Sequence, residues 1–117
     1  SQMFLNRGEL DGQRVLRPET VDMMTANRIP DELLPLFGRD NGYGWGLGFC
    51  IAMDPTRVGF PIGQDVYWWD GSAGTRFFID PRQNMIIVIM AQVSPARGNG
   101  FREEFSTLVD AAILERR

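Results

Sequence analysis

The chain has 117 residues, of which 44% are hydrophobic and 23% charged, and its formal net charge is −3 at pH 7. This composition is typical of one globular domain, here over residues 1–117, and excludes a disordered chain. A negative net charge offers no basic surface to nucleic acid, and no apolar run reaches the roughly 18 residues of a membrane span, so neither partner is expected.

The first 46 residues predict short elements and a long loop. Residues 1–5 have the pattern of the last turn of a helix, and no residues are present for its earlier turns. The chain is therefore expected to begin within a helix. Asp11-Gly12 predicts a turn between two short extended pieces, and Pro18 is placed to open a helix. Residues 27–46 are rich in proline and glycine, which predicts a loop with a short helical turn near 31–34 and a strand entry at its end.

Four strand candidates follow, at residues 47–53, 65–69, 75–80 and 85–92. Because the links between them are short, we expect an antiparallel meander. A stripe of apolar residues with helical period, from Phe101 to Ile113, predicts a C-terminal helix that lies on this sheet. The expected fold class is α+β, with an antiparallel sheet of about four strands and a C-terminal helix packed on it.

The last strand candidate is apolar on both faces. In MIIVIMAQV, Ile86 and Val88 point to one face while Ile87 and Ile89 point to the other, so both faces require cover. The C-terminal helix covers one face, but the helix after Pro18 is a small layer for the other. We therefore expect a part outside these residues, either missing chain or a second copy in a homo-oligomer, to complete the fold.

The residue types exclude much catalytic chemistry. The chain has no histidine, and all 12 basic residues are arginine, which excludes a Ser-His-Asp triad, a histidine metal site, a Schiff base and a P-loop. No metal or organic cofactor is expected. The single cysteine, Cys50, lies in an apolar run and is expected to be a buried, unreactive thiol. The N-terminus has no signal pattern, which favours a cytoplasmic location.

Three stretches carry a resemblance to a known family: FLNRGELDGQRVLRPETVDMM, YGWGLGF and WWDGSAGTRFFIDPRQNMIIVIMAQ. In this order they resemble the C-terminal third of the serine hydrolases related to class C β-lactamases, penicillin-binding proteins and their esterase relatives. The resemblance covers nearly the whole chain. It implies a partial β-lactamase/transpeptidase-like fold, with an antiparallel sheet between helical layers.

That family uses three motifs, of which the third has a counterpart here. Trp69-Asp70-Gly71 matches the W-x-G form of esterase-like members, and Ser72 resembles the residue whose backbone N–H completes the oxyanion hole. The resemblance implies that Trp69, Gly71, Ser72 and Ala73 line the substrate, with small residues at the strand edge and an apolar wall or indole N–H from Trp69. The motif by itself leaves an alternative open, a strand end and tight turn whose tryptophans fill the core.

Asp70 occupies the middle position of the motif, where the family commonly has a small residue. A carboxylate that faced the substrate would oppose a developing negative charge. Its side chain is therefore expected to point away from the site, as alternate strand residues do. A role as catalytic acid is disfavoured, since the sequence places no partner carboxylate beside it.

The departures from the family pattern define two hypotheses. The S-x-x-K motif, its lysine and the second motif are absent, so no catalytic residue is expected in this chain, which should be inactive by itself. The first hypothesis is the C-terminal part of a larger serine hydrolase that acts on esters or amides, completed by a missing N-terminal portion. The second is a non-catalytic stand-alone domain that self-associates and binds a small ligand. A tryptophan where β-lactamases usually have lysine favours an esterase.

Overall fold

A computed structural model describes residues 1–35, 41–94 and 100–113. The elements in chain order are α1 (Gln2–Leu5), β1 (Glu9–Leu10), β2 (Gln13–Arg14), α2 (Pro18–Met24), a 3₁₀ turn (Asp31–Leu33), β3 (Tyr43–Trp45), β4 (Cys50–Ala52), β5 (Tyr67–Asp70), β6 (Arg76–Asp80), β7 (Met85–Ile89) and α3 (Phe101–Ala112). Strands β3 to β7 form one antiparallel sheet in sequential order, and β1 pairs with β2 in a separate hairpin. The expected α+β class is confirmed.

The sheet has five strands rather than about four. The additional strand, β3, comes from the glycine-rich end of the predicted loop, of which residues 36–40 lie outside the described part. Residues 24–28 lie along the open edge of β3: the Trp45 N–H donates to Asn27 Oδ1 at 3.0 Å, and the Arg28 N–H donates to the Trp45 carbonyl oxygen at 2.7 Å. These contacts satisfy backbone groups that an edge strand otherwise exposes.

The close approach of residues 24–28 explains the glycine that follows this strand and limits the space at the glycine within it, where the Met53 side chain is also close. A Cβ at Gly46 would overlap the Met24 carbonyl oxygen, and a Cβ at Gly44 would lie 2.7 Å from Asn27 Oδ1. We expect Gly46→Ala to lower the free energy of unfolding by about 1–3 kcal/mol, because the obstacle is backbone and cannot rotate away. Urea unfolding measures this loss. Gly59→Ala is the control, since its Cβ would meet open space; equal losses in both variants would contradict the packing argument.

The sheet separates two hydrophobic clusters. On the face that α3 covers, the α3 face, the buried residues include Cys50, Trp68, Phe78 and Ile89. The opposite face, the α1 face, buries Phe49, Ile51, Tyr67 and Ile79 beneath α1 and α2. The ring of Phe4 in α1 packs edge-on against Phe49, with 4.8 Å between ring centroids.

Part of the α1 face is uncovered. Trp69, Phe77 and Val88 are neighbours across β5, β6 and β7, and we call them the Trp69 row. Trp69 is 42% exposed and Val88 54% exposed. The last strand ends at Ile89, short of the predicted residue 92. Both of its faces are apolar, as predicted, but only the α3 face is covered here: Ile89 is buried there, while Val88 on the α1 face is exposed.

Only part of the C-terminal helix stripe lies on the sheet. Phe101 packs against the α3-face cluster, and Val109 lines a cavity together with Phe78. Phe105 is exposed, and Leu108 is 63% exposed. The predicted helix on the sheet is confirmed, but the apolar stripe is wider than the surface that one sheet face contacts, so part of it stays exposed.

Burial raises the pKa of the Cys50 thiol to about 12, and it raises the pKa of Tyr67 to about 12 as well. The unfolded groups titrate near 8.5 and 10, so the unfolded chain loses these protons first. Stability is therefore complete below about pH 8.5 and is lost progressively as the pH rises toward 12.

We expect the free energy of unfolding in urea to fall by about 3–4 kcal/mol between about pH 7.5 and about pH 10.5. In Cys50→Ala the free energy of unfolding should fall by a smaller amount over the same pH range, because only Tyr67 then contributes. An equal fall in that variant would show that the buried thiol is not its main source.

Candidate active-site strand

A tight turn joins β5 to β6 and carries the predicted site residues. The Gly71 N–H donates to the Thr75 carbonyl oxygen at 2.8 Å, and the Gly74 N–H donates to the Gly71 carbonyl oxygen at 3.1 Å. The Val93 N–H donates to the Ala73 carbonyl oxygen at 2.8 Å, which ties the turn to the chain beyond β7. Gly74 has a φ of +95°, a conformation that favours glycine.

The turn leaves backbone donors unused. The N–H groups of Ser72 and Ala73 both have no hydrogen-bond partner among the described residues, and of these two residues Ser72 is exposed while Ala73 is half-buried. Gly71 is half-buried as well. Gly71 has an internal reason to be glycine, because a Cβ there would overlap Thr75 Oγ1. The turn thus presents a free N–H with little side-chain bulk around it.

The two adjacent tryptophans have different surroundings. Trp68 is buried in the α3-face cluster, whereas Trp69 is partly exposed on the α1 face. Trp69 packs edge-to-face against Trp45, with ring centroids 4.4 Å apart and an interplanar angle of 88°. Trp68 therefore fills core, while Trp69 forms a fixed aromatic surface beside the turn.

The Asp70 carboxylate points to the α3 face, opposite to Trp69, as expected from strand alternation. Arg76 donates to it from Nε at 2.5 Å and from Nη2 at 2.8 Å, and Arg102 of α3 donates from Nη1 at 3.0 Å. The carboxylate is thus the centre of an ion-pair cluster behind the turn. The Asp70 carboxylate and the Trp69 ring thus lie on opposite faces of the sheet.

Sequence reasoning missed the two arginines of this cluster. The Arg76 side chain is 6% exposed, with its guanidinium 4.8 Å from the ring centroid of Phe60 and 5.5 Å from that of Phe78. Its Nη1 lies 3.5 Å from Glu103 Oε1 but makes no hydrogen bond. The sequence did contain a signal for Arg76, since it is a charged residue at the start of the apolar strand RFFID. No sequence signal pointed to Arg102, because its contacts depend on where α3 packs on the sheet.

Two cavities lie away from the turn. One lies between α3 and the sheet, with Phe78 and Val109 in its wall, and the other is beside Tyr43 and Asp54. Neither includes a predicted site residue. Within residues 1–35, 41–94 and 100–113, no group of three or more cysteine, aspartate or glutamate side chains is placed to hold a metal ion, and no helix is long and apolar enough to cross a membrane.

Comparison with known proteins gives relatives that are much longer than this chain. No family model matches the sequence. Proteins from two strains of Mycobacterium tuberculosis are 32% identical over 104 aligned positions, which cover 80% of this chain and 25% of each relative. The chain thus spans about a quarter of the length of the curated relatives it matches.

Solved structures match the same arrangement of strands and helices. EstCE1, a hydrolase with promiscuous acyltransferase activity, has a TM-score of 0.71 at 19% identity, over 90% of this chain and 26% of its own. Simvastatin synthase LovD from Aspergillus terreus has a TM-score of 0.71 at 17% identity, over 97% and 32%. A penicillin-binding protein homolog from Caulobacter crescentus has a TM-score of 0.61 at 20% identity, over 80% and 24%. The chain therefore has part of the fold of the β-lactamase and penicillin-binding-protein serine hydrolases.

Proposed function

We propose that this chain is the C-terminal part of a β-lactamase-related serine hydrolase and forms one wall of its acyl site. The observation that carries the proposal is the unpaired Ser72 N–H on the exposed turn after Trp69-Asp70-Gly71. An oxyanion donor must lie about 3 Å from the developing negative charge, so it must be both free and accessible. Ser72 is an exposed residue whose N–H has no partner among the described residues, which supports both conditions.

In this proposal the chain contributes binding and charge stabilisation, not the covalent step. The Ser72 N–H donates to the oxyanion of the tetrahedral intermediate, and Trp69 forms an apolar wall for the ester or amide substrate. The nucleophile and its lysine come from the missing N-terminal portion, because the 117 residues contain no lysine. The chain alone is inactive. A tryptophan at the third motif favours an ester substrate.

The uncovered apolar surfaces support the need for a further part of the fold. The Trp69 row on the α1 face and the exposed Phe105 and Leu108 of α3 lie on different sides of the sheet. Large apolar side chains left exposed on neighbouring positions favour contact with other protein. The missing N-terminal portion covers both surfaces in the complete hydrolase.

The intact mass of the natural product tests the proposal directly. We expect a polypeptide of several hundred residues that hydrolyses a chromogenic ester, and no hydrolysis by the purified 117-residue chain. Hydrolysis by the short chain would show that it contains the catalytic groups after all. A full-length protein without any acyl-transfer activity would contradict the enzymatic role.

The same exposed surfaces favour one alternative function, a stand-alone domain that covers them with a second copy of itself. A natural product of 13 kDa would support this alternative. Sedimentation at micromolar concentration then decides it, since a well-folded monomer would leave Trp69 and Leu108 without cover and would contradict self-association. A small ligand that quenches Trp69 fluorescence would support retained binding.

A further inference from the structure

The candidate oxyanion donor belongs to a peptide unit whose other end is held by the C-terminal helix. Nη2 of Arg102 donates to the Gly71 carbonyl oxygen at 2.8 Å. That oxygen and the Ser72 N–H are the two ends of one trans peptide plane, so they point in opposite directions. The Gly74 N–H donates to the same oxygen at 3.1 Å, so Arg102 and the turn itself together fix the direction of the Ser72 N–H, which points away from α3.

The same guanidinium holds the turn at two further points. Its Nη1 donates to Asp70 Oδ2 at 3.0 Å, before the turn, and its Nε donates to the Gly74 carbonyl oxygen at 3.2 Å, near its end. The Arg102 side chain is 11% exposed, so these bonds are largely screened from water. All three kinds of nitrogen in the guanidinium are used on residues 70–74.

We propose that Arg102 is a positioning residue for the acyl site. It locks the Gly71–Ser72 peptide, and its positive charge at the carbonyl oxygen polarises that peptide so that the N–H becomes a stronger donor. A donor fixed before the reaction stabilises the oxyanion without reorganisation in the transition state. The catalytic consequence rests on the proposed function, whereas the hold of Arg102 on the turn does not.

The test compares Arg102→Gln and Arg102→Lys in the natural product that contains this chain. Arg102→Gln is expected to lower kcat for a chromogenic ester about 10- to 100-fold with KM unchanged, because the displaced N–H acts in the transition state. It should also speed hydrogen–deuterium exchange in the peptide of residues 67–80. Arg102→Lys should give intermediate values, since an ammonium keeps the charge near Asp70 but cannot match three fixed directions.

Arg82→Gln is the matched control, because Arg82, in the turn between β6 and β7, pairs with Asp65 at an exposed position. This variant should change neither kcat nor exchange at 67–80. Thermal unfolding of each variant gives its folded fraction, and kcat is calculated per folded molecule. An unchanged kcat in folded Arg102→Gln enzyme would overturn the proposal, and so would unchanged exchange at 67–80. If the unsubstituted protein hydrolyses no ester, the proposed function fails, while faster exchange still supports the hold of Arg102 on the turn.

Discussion

Asp70→Ala should lower the free energy of unfolding by about 3–5 kcal/mol, because it removes the main partner of a buried cation. The Arg76 guanidinium would keep a contact to Glu103 at 3.5 Å, and its Nη1 already lacks a hydrogen bond. The substitution also takes one of the acceptors of Arg102. Urea unfolding of the natural product measures the loss.

Asp22→Ala provides the comparison for this prediction. Asp22 also pairs with an arginine, at 2.7 Å from Arg7 Nη2, but both side chains are more than half exposed. An exposed pair contributes about 0–1 kcal/mol. Similar losses for Asp70→Ala and Asp22→Ala would show that burial of Arg76 does not determine the strength of the cluster.

Asp70→Asn separates a structural role of this carboxylate from a catalytic one. The amide keeps the shape of the side chain and loses its charge. If Asp70 only supports the turn, the pH dependence of ester hydrolysis stays the same in folded Asp70→Asn enzyme. A lost limb in the pH profile would instead make Asp70 a proton donor or acceptor.

The sheet was largely predictable because its signals are local. Alternation of apolar residues and the turns at Asp54-Pro55 and Asp80-Pro81 placed β4 to β7 in the right order, and the short links predicted their antiparallel pairing. The missed strand, β3, contains glycine at its centre and is followed by glycine, which local propensity disfavours in a strand. The glycine after it is explained by residues 24–28, whose approach no local pattern reveals.

For the candidate site, the sequence predicted only which side chains of β5 point to which face of the sheet. Alternation along β5 correctly separated Trp69 from Asp70. The partners of Asp70 were not predictable in the same way, because Arg102 lies 32 residues further along the chain and reaches the turn only when α3 docks. The exposure of Leu108 has the same origin, since helical period does not say which part of a stripe the sheet covers.

Ser72→Pro should lower kcat for ester hydrolysis by the natural product about 100- to 1,000-fold, the range measured for loss of one oxyanion-hole donor. Proline removes the backbone N–H that the proposal places on the oxyanion. The fall should appear equally in kcat/KM, with KM unchanged, because the lost hydrogen bond forms in the transition state. Steady-state kinetics with a chromogenic ester gives both values.

Ser72→Ala is the control that makes this result specific. It removes the hydroxyl but keeps the backbone N–H, so it should keep nearly full activity if the donor is the peptide group. The Ser72 side chain is exposed, and surface substitutions of this kind change the free energy of unfolding by less than about 0.5 kcal/mol. A large loss of kcat in Ser72→Ala would indicate that the hydroxyl, not the backbone N–H, is the donor. Full activity of folded Ser72→Pro enzyme would remove residue 72 from the acyl site, and with it the central support for the proposed function.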